Sequence, residues 1–499
     1  MAIKRGIIVL IGLLLQFGLT LSVLLFFGEH ITLIESIYRL IGLLIVLALI
    51  KNSRNLSNKL PWILIILSFP IVGTLLYLII GNNFYNSKIL KKINNSIEDS
   101  RKYLSEEKRI KKEINEKNLN QIKYISEFAG FPATKENEIK YFSLGEIAYK
   151  EIISQLKKAE KFIFIEYFII NHGKMWNTIL EILEEKAKQG LDVRIMYDDM
   201  GCIAMLKKNY PKELEKKGIK CIAFNRLNPL FGIIMNNRDH RKIMVIDGKV
   251  AFSGGINLSD EYINLTHPYG HWKDNAIMLK GNSVWNFTVM FLEMWNSYRK
   301  EDNDFNKYKY KFNNEHIENG FVIPYGDSPL DDEIVGENIY LNIINQSKNY
   351  VYIFTPYLII DTDMINSLTL AAKRGVDVRI VVPGIPDKKI VYSLTCSYFE
   401  TLIKSGVKIY KYSPGFIHSK VFLSDDKIST VGTINLDYRS LYLHFECGVY
   451  MQDVNILKDI KKDFEQTIKK SYKVTEKEAM PNMIKGLWQS ILRLFAPLM

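Results

Sequence analysis

Cysteine is scarce. Four in 499 residues (Cys202, Cys221, Cys396 and Cys447) cannot build a disulfide framework at this size. None stands in a C-x-x-C spacing, which excludes a zinc ribbon or a thioredoxin-like redox site. A reducing compartment, or indifference to redox state, suits such a chain. Acidic excess is also lacking: the net charge is +12, which suits anionic partners, lipid headgroups or nucleic acid. With 47% hydrophobic and 24% charged residues, disorder throughout is excluded. The apolar residues are spread unevenly, unlike those of a plain soluble enzyme.

Residues 1–83 hold most of that unevenness. Gly6 to Phe27 carries no charge over 22 residues, and no small-x-small cleavage site follows it. Leu40 to Ile50 is apolar, and extending it back to Ile31 takes in Glu35 and Arg39, spaced to pair. Leu60 to Gly81 is a second uncharged run of 22 residues, with Pro70 in its middle. Two or three transmembrane segments are expected here. Lys51, Arg54 and Lys59 form a loop without acidic residues, expected on the cytoplasmic side. With three spans the rest of the chain lies outside; with two it lies inside. Residues 84–139 read as a basic helical connector. Positions 86–123 hold 11 basic and 6 acidic side chains, a solvated face or one suited to anionic lipid.

From about residue 140 strands and helices alternate, which implies an α/β fold. Lys161 to Ile170 reads as a strand, Asn177 to Gln189 as a helix stopped by Gly190, and Leu191 to Tyr197 as the next strand. Asn349 to Thr355, Asp363 to Arg374 before Gly375, and Val376 to Val382 repeat that order. The tetrapeptide Asp-Val-Arg-Ile occurs at 192–195 and again at 377–380. Such self-similarity predicts two similar halves, 140–320 and 321–499.

The repetition is sharpest around two histidines. His240, Lys242 and Asp247 fit H-x-K-x4-D, and so do His418, Lys420 and Asp425, 178 residues later. Gly254 and Asn257 match Gly432 and Asn435 at the same offset. Composition leads one to expect about 0.1 such motifs by chance. These residue types suit attack on a phosphodiester. A neutral imidazole forms a bond to phosphorus, and a second imidazole protonates the leaving alkoxide and then activates the incoming hydroxyl. Two lysines and two asparagine amides hold the phosphate oxygens as charge develops, so no metal is required.

The paired motifs with G-x-x-N resemble the phospholipase D superfamily. More narrowly, the chain is similar along nearly its whole length to bacterial cardiolipin synthases. The residues that carry this are Ile165-Glu-Tyr167, Asp198-Asp-Met-Gly201, Asn237 to Lys242, Thr355-Pro-Tyr357, Gly415 to Lys420, Val431 to Ser440 and Arg493 to Met499. The resemblance implies two phospholipase-D-like α/β halves sharing one site behind an α-helical membrane region. It implies transphosphatidylation: one phosphatidylglycerol gives its phosphatidyl group to a histidine and releases glycerol, and a second takes that group to become cardiolipin. His240 is implied as the nucleophile and His418 as the acid/base, although the motifs are nearly symmetrical. An acidic residue some thirty positions downstream is implied to orient each histidine. Asp274 stands 34 after His240 and Glu446 stands 28 after His418. Asp247 and Asp425 belong to the catalytic motif, where the family reading makes them structural supports. The implied location is the cytoplasmic face of a bacterial plasma membrane.

Other features follow. Leu230 to Met235 reads as an apolar lip or a buried strand. Asp198 and Asp199 are adjacent acids at a strand end, which point apart rather than share a metal. Tyr167 and Tyr357 follow matching strands. Asn482 to Met499 is amphipathic, with Met483, Leu487, Ile491, Leu494 and Leu498 at helical spacing, and reads as an interfacial helix. Expected partners are phosphatidylglycerol and anionic membrane lipids, with no nucleic acid, no metal and no cofactor. The rival readings are a hydrolase releasing phosphatidic acid, another phosphatidyltransferase, a nuclease, or a catalytically silent membrane scaffold.

Overall fold

In the computed structural model the chain divides into two compact units. The structure describes residues 31–51, 59–78, 87–226, 237–312, 320–331 and 333–498. The smaller unit comprises residues 1–88 with 227–235 and 491–499. Its helices are Ile31–Lys51, Leu60–Ser68 and Pro70–Leu76. Val46, Leu49, Ile63 and Ile66 form its buried cluster, with Trp62 and Tyr77 packed against it.

The uncharged run from Leu60 is therefore not one straight span. Pro70 has no N–H to donate, so the helix breaks at Phe69 (φ −132°, ψ 76°) and restarts. Among the described residues no helix is long and apolar enough to cross a membrane. The Gly6 to Phe27 run and the Leu230 to Met235 lip lie outside the described residues.

The larger unit holds residues 89–226 and 236–490. Its first sheet is built from β1 (Asn137–Phe142), β2 (Phe162–Tyr167), β3 (Asp192–Asp198), β4 (Lys220–Phe224), β5 (Lys242–Ile246), β6 (Val250–Gly254) and β8 (Ala276–Gly281), in the order β1-β8-β6-β5-β2-β3-β4. A short strand, β7 (His271–Lys273), stands apart from it. The second sheet uses β9 (Phe321–Asp327), β10 (Tyr350–Phe354), β11 (Asp377–Pro383), β12 (Lys408–Tyr412), β14 (Val421–Ser424), β15 (Ile428–Gly432), β16 (Glu446–Gln452) and β17 (Ser471–Lys473). Read from β9, its order is β9-β16-β15-β14-β10-β11-β12-β17. Apart from β17 the two orders correspond strand for strand, so the duplication in sequence is a duplication of fold. β2, β3 and β4 run parallel, and β5 runs antiparallel to β2.

The parallel pairs need crossover helices, and the sequence marks where these stop. Lys174–Lys188 and Thr362–Lys373 are followed by Gly190 and Gly375, at φ +91° and +92°. That left-handed geometry suits a residue without Cβ, so the chain turns there into β3 and β11. The buried face of Lys174–Lys188, which includes Trp176, Ile179 and Leu183, joins Ile163, Ile165 and Val193 in the core. The basic connector is less free than its charge suggests. Ile110, Ile114, Ile122 and Ile125 are buried, and Ser100 Oγ donates to Glu293 at 2.7 Å.

Candidate active site

H-x-K has a period of two, so in extended chain His and Lys share one face. Lys242 opens β5, and Lys420 immediately precedes β14. Lys242 Nζ donates to the carbonyl of His240 at 2.7 Å, and Lys420 Nζ donates likewise to the carbonyl of His418. All four side chains are buried.

The halves are joined next to each histidine. The His240 N–H donates to the Phe445 carbonyl at 2.9 Å, and Phe445 N–H donates to Arg238 at 2.8 Å. On the other side β7 pairs in parallel with β13 (Gly415–Ile417), and His418 N–H donates to Lys273 at 2.7 Å. Asp239 is thus level with Phe445, and Ile417 with Lys273. One residue further on, His240 meets Glu446 and His418 meets Asp274.

This crosses the expected pairing. His240 Nδ1 lies 2.9 Å from both Glu446 oxygens, and His418 Nδ1 lies 2.7 Å from Asp274 Oδ2. Each histidine faces the carboxylate of the opposite half, not the one some thirty residues downstream in its own. The reason is the pairing of strand ends across the seam, which no spacing within a half encodes.

Asp247 and Asp425 stand elsewhere. Each follows its five- or four-residue strand at positive φ, +55° and +54°. At about 3.3 Å per residue, the five-residue step from the motif lysine sets each roughly 16 Å along the chain beyond it. Asp247 accepts the backbone N–H groups of Glu160, Lys161 and Phe162 at 2.7–2.9 Å. Asp425 accepts those of Lys348, Asn349 and Tyr350 at 2.7–2.9 Å. They cap the entries of β2 and β10, each holding three backbone N–H groups.

Asn257 and Asn435 are buried and individually anchored. Asn257 Oδ1 accepts from Ile169 N–H at 3.1 Å and its Nδ2 donates to Tyr262 Oη at 2.8 Å; Asn435 Nδ2 donates to Ser440 Oγ at 3.1 Å. Gly255 lets the acid approach, since a Cβ there would stand 2.0 Å from Asp274 Oδ1. Its counterpart Thr433 instead donates its hydroxyl to Glu446.

Several further residues carry the site and were not singled out by the motif. Arg241 points away from its neighbours His240 and Lys242, and meets Glu166 at 2.8 Å, Asp239 and Glu293. Arg238 pairs with Asp198 at 3.1 Å, while Asp198 also accepts Met200, Gly201 and Asp239 N–H groups. Asp198 is thereby committed to the fold. Tyr357 donates to Asp387 at 2.6 Å, and Tyr167 is packed into the core. Aromatic rings wall the histidines: Phe168 stands 4.9 Å from His240, and Tyr262 and Trp272 each 5.5 Å from His418. The side-chain alternation of a strand could have flagged Arg241; the aromatic walls had no signal.

Burial sets the electrostatics. It pushes His240 well below the usual imidazole range, with Lys242 adding to the effect. His418 falls to about 4 through burial and Lys420, against the pull of Asp274. Burial lowers Lys242 to about 8 and Lys420 to about 7. Burial pushes Asp274 up, but His418, Lys420 and the Asn275 N–H together hold it below the ordinary carboxylate range. Burial holds Glu446 well above its own range.

Among the described residues His240, His444 and Glu446 have ligating atoms within 4.8 Å of one another. Both Glu446 oxygens already accept from His240, and Lys242, Arg238 and Arg439 direct positive charge at this group. The donor set fits proton chemistry better than a divalent cation.

The family model described as the cardiolipin synthase, phospholipase-D-like domain matches residues 152–295 and 340–468. A second, the phospholipase D-nuclease amino-terminal region, matches 40–82. The chain is 47% identical to an uncharacterized protein of Streptococcus mutans, over 91% of this chain and 99% of that one. It is 34% identical to a cardiolipin synthase of Clostridium perfringens, over 89% and 95%. It is 32% identical to cardiolipin synthase 1 of Staphylococcus aureus, over 95% and 98%. The crystal structure of phosphatidylserine synthase from Haemophilus influenzae shares the fold at a TM-score of 0.57, with 16% identity, over 76% of this chain and 97% of that one. With these matches spanning both halves and the amino-terminal region, the chain belongs to the cardiolipin synthase family, phosphatidyltransferases of the phospholipase D superfamily.

Proposed function

We propose that the chain makes cardiolipin from two phosphatidylglycerol molecules through a phosphohistidine. His240 is neutral at pH 7, and its Nε2 lone pair attacks the phosphorus of the first lipid. The P–O bond to glycerol breaks, and His418 Nε2–H supplies the proton that lets glycerol leave. The substrate's negative charge favours that proton on His418, offsetting the burial that otherwise removes it. His418 Nε2 then takes the proton of the second lipid's terminal hydroxyl. That oxygen attacks phosphorus, the P–N bond breaks and His240 is restored. Lys242, Lys420, Asn257 and Asn435 hold the phosphoryl oxygens throughout.

The observation that carries this reading is the seam itself: two buried histidines, each on its own carboxylate, beside two buried lysines. The membrane placement rests on residues 1–83 and on the helix Met483–Leu494. That helix exposes Met483 (89%), Ile484 (80%), Leu487 (67%) and Trp488, a face suited to the interface of an anionic membrane. The catalytic unit then works at the cytoplasmic face of a multi-pass plasma-membrane protein.

The test is a micelle assay with labelled phosphatidylglycerol and EDTA, resolving lipid products of wild type and His240→Ala. Cardiolipin and glycerol are expected from wild type alone. Phosphatidic acid as the main product contradicts the transferase reading, and equal activity in His240→Ala contradicts the role of that histidine.

A further inference from the structure

The seam has an asymmetry the motif does not contain. His444 and Trp272 each stand two residues before the acid of their half. Each ring packs against the motif histidine of the opposite half in nearly the same pose. Trp272 lies 5.5 Å from His418 at 46°, and His444 lies 5.7 Å from His240 at 45°. One half fills this place with an indole, the other with an imidazole.

The imidazole is oriented. Arg439 Nε donates to His444 Nε2 at 3.4 Å. A guanidinium only donates, so Nε2 is the acceptor and the ring proton of neutral His444 sits on Nδ1. That nitrogen is buried, has no hydrogen-bond partner, and lies 3.7 Å from Glu446 Oε1. It is a few tenths of an ångström too far for a bond.

The need for such a donor arises during the reaction. At rest His240 Nδ1 shares its proton equally between Oε1 and Oε2, at 2.9 Å each, and Thr433 also serves Oε2. When Nε2 of His240 bonds to phosphorus, the ring gains positive charge and its Nδ1–H forms one stronger, straighter bond. Drawn toward Oε2, where Thr433 also donates, that bond leaves Oε1 without the N–H it faces at rest.

Resting on the reading of His240 as the phosphoryl acceptor, we propose that His444 is a positioning residue that closes onto Oε1 of Glu446 as His240 is phosphorylated. Asp274 needs no such residue. His418 uses only Oδ2, and Asn275 N–H already occupies Oδ1 at 2.8 Å.

The test compares three variants of the full chain in one detergent. His444→Asn keeps an N–H donor near the position of Nδ1; His444→Phe keeps a ring; His444→Leu keeps neither and replaces His444→Phe in the comparison should that variant fail to fold. For His444→Phe the expected result is a fall in kcat of about 10–100-fold with KM unchanged, and a matching fall in the rate of phosphoenzyme formation. His444→Asn should keep at least a third of wild-type kcat. If His444 merely packs against His240, the ring-keeping variant performs as well as His444→Asn or better, and the proposal is overturned. A wild-type enzyme that forms cardiolipin with no phosphoenzyme on His240 overturns the underlying reading as well, and the two failures are thereby distinguished.

Discussion

Among the described residues Lys242 and Lys420 make no direct ion pair: each Nζ is bonded to the carbonyl of its own motif histidine, the arrangement the proposed phosphate contact needs. Burial lowers them to about 8 and 7, so both lose charge near neutrality as pH rises. The free enzyme then loses its hold on the phosphodiester, and kcat/KM should decline from about pH 7 upward. A guanidinium does not deprotonate in this range, so Lys420→Arg should move the alkaline limb to higher pH. A wild-type kcat/KM flat to pH 9.5 would contradict this role. The motif aspartates behave differently. Asp247→Ala strips three backbone N–H groups of their acceptor, each costing about 1 kcal/mol or more. Thermal unfolding should shift down, while activity per folded molecule stays within a few-fold of wild type.

At the scale of elements, the crossed pairing follows from β7 lying beside β13 and from Phe445 lying beside Asp239. Double-mutant cycles should therefore couple Asp274→Asn with His418→Gln by about 0.5–3 kcal/mol in transition-state energy. Asp274→Asn with His240→Gln should couple far less. A larger second coupling would contradict the seam. Much around this seam is legible in sequence because it is local. Gly190 and Gly375 end their helices, H-x-K sets two side chains on one face, and the repeated Asp-Val-Arg-Ile marks equivalent strands. The exchange of acids is not legible, because strand pairing between halves leaves no periodicity in either. The place shared by His444 and Trp272 is invisible for the same reason: two unlike residues become equivalent only once the halves are superposed. The Leu60 run misleads in the other direction, since its composition suits one long helix while Pro70 divides it. The amphipathic tail has its own test. Leu487→Glu should lower transfer from phosphatidylglycerol in vesicles and leave transfer in detergent micelles unchanged. Equal loss in both would place Leu487 in the fold rather than in lipid.

At the scale of the whole molecule, two copies of one α/β unit have produced a single site in which neither copy is complete. Each supplies a histidine, a lysine and the acid that meets the other's histidine, which is why the proposed reaction needs both halves. Duplication also leaves two nearly equivalent histidines, and the surroundings separate them. His418 sits on an ionised Asp274 among Trp272, Tyr262 and Phe416. His240 sits on Glu446 among Phe168, His444 and Arg439. The central claim is that the phosphatidyl group passes through His240. The most direct test is to mix enzyme with phosphatidylglycerol labelled at phosphorus, quench in denaturant within milliseconds, and map the label by mass spectrometry. The account requires label on the peptide containing His240 in the wild type and none in His240→Ala. Label on His418 instead, or cardiolipin formed with no labelled histidine, would contradict it.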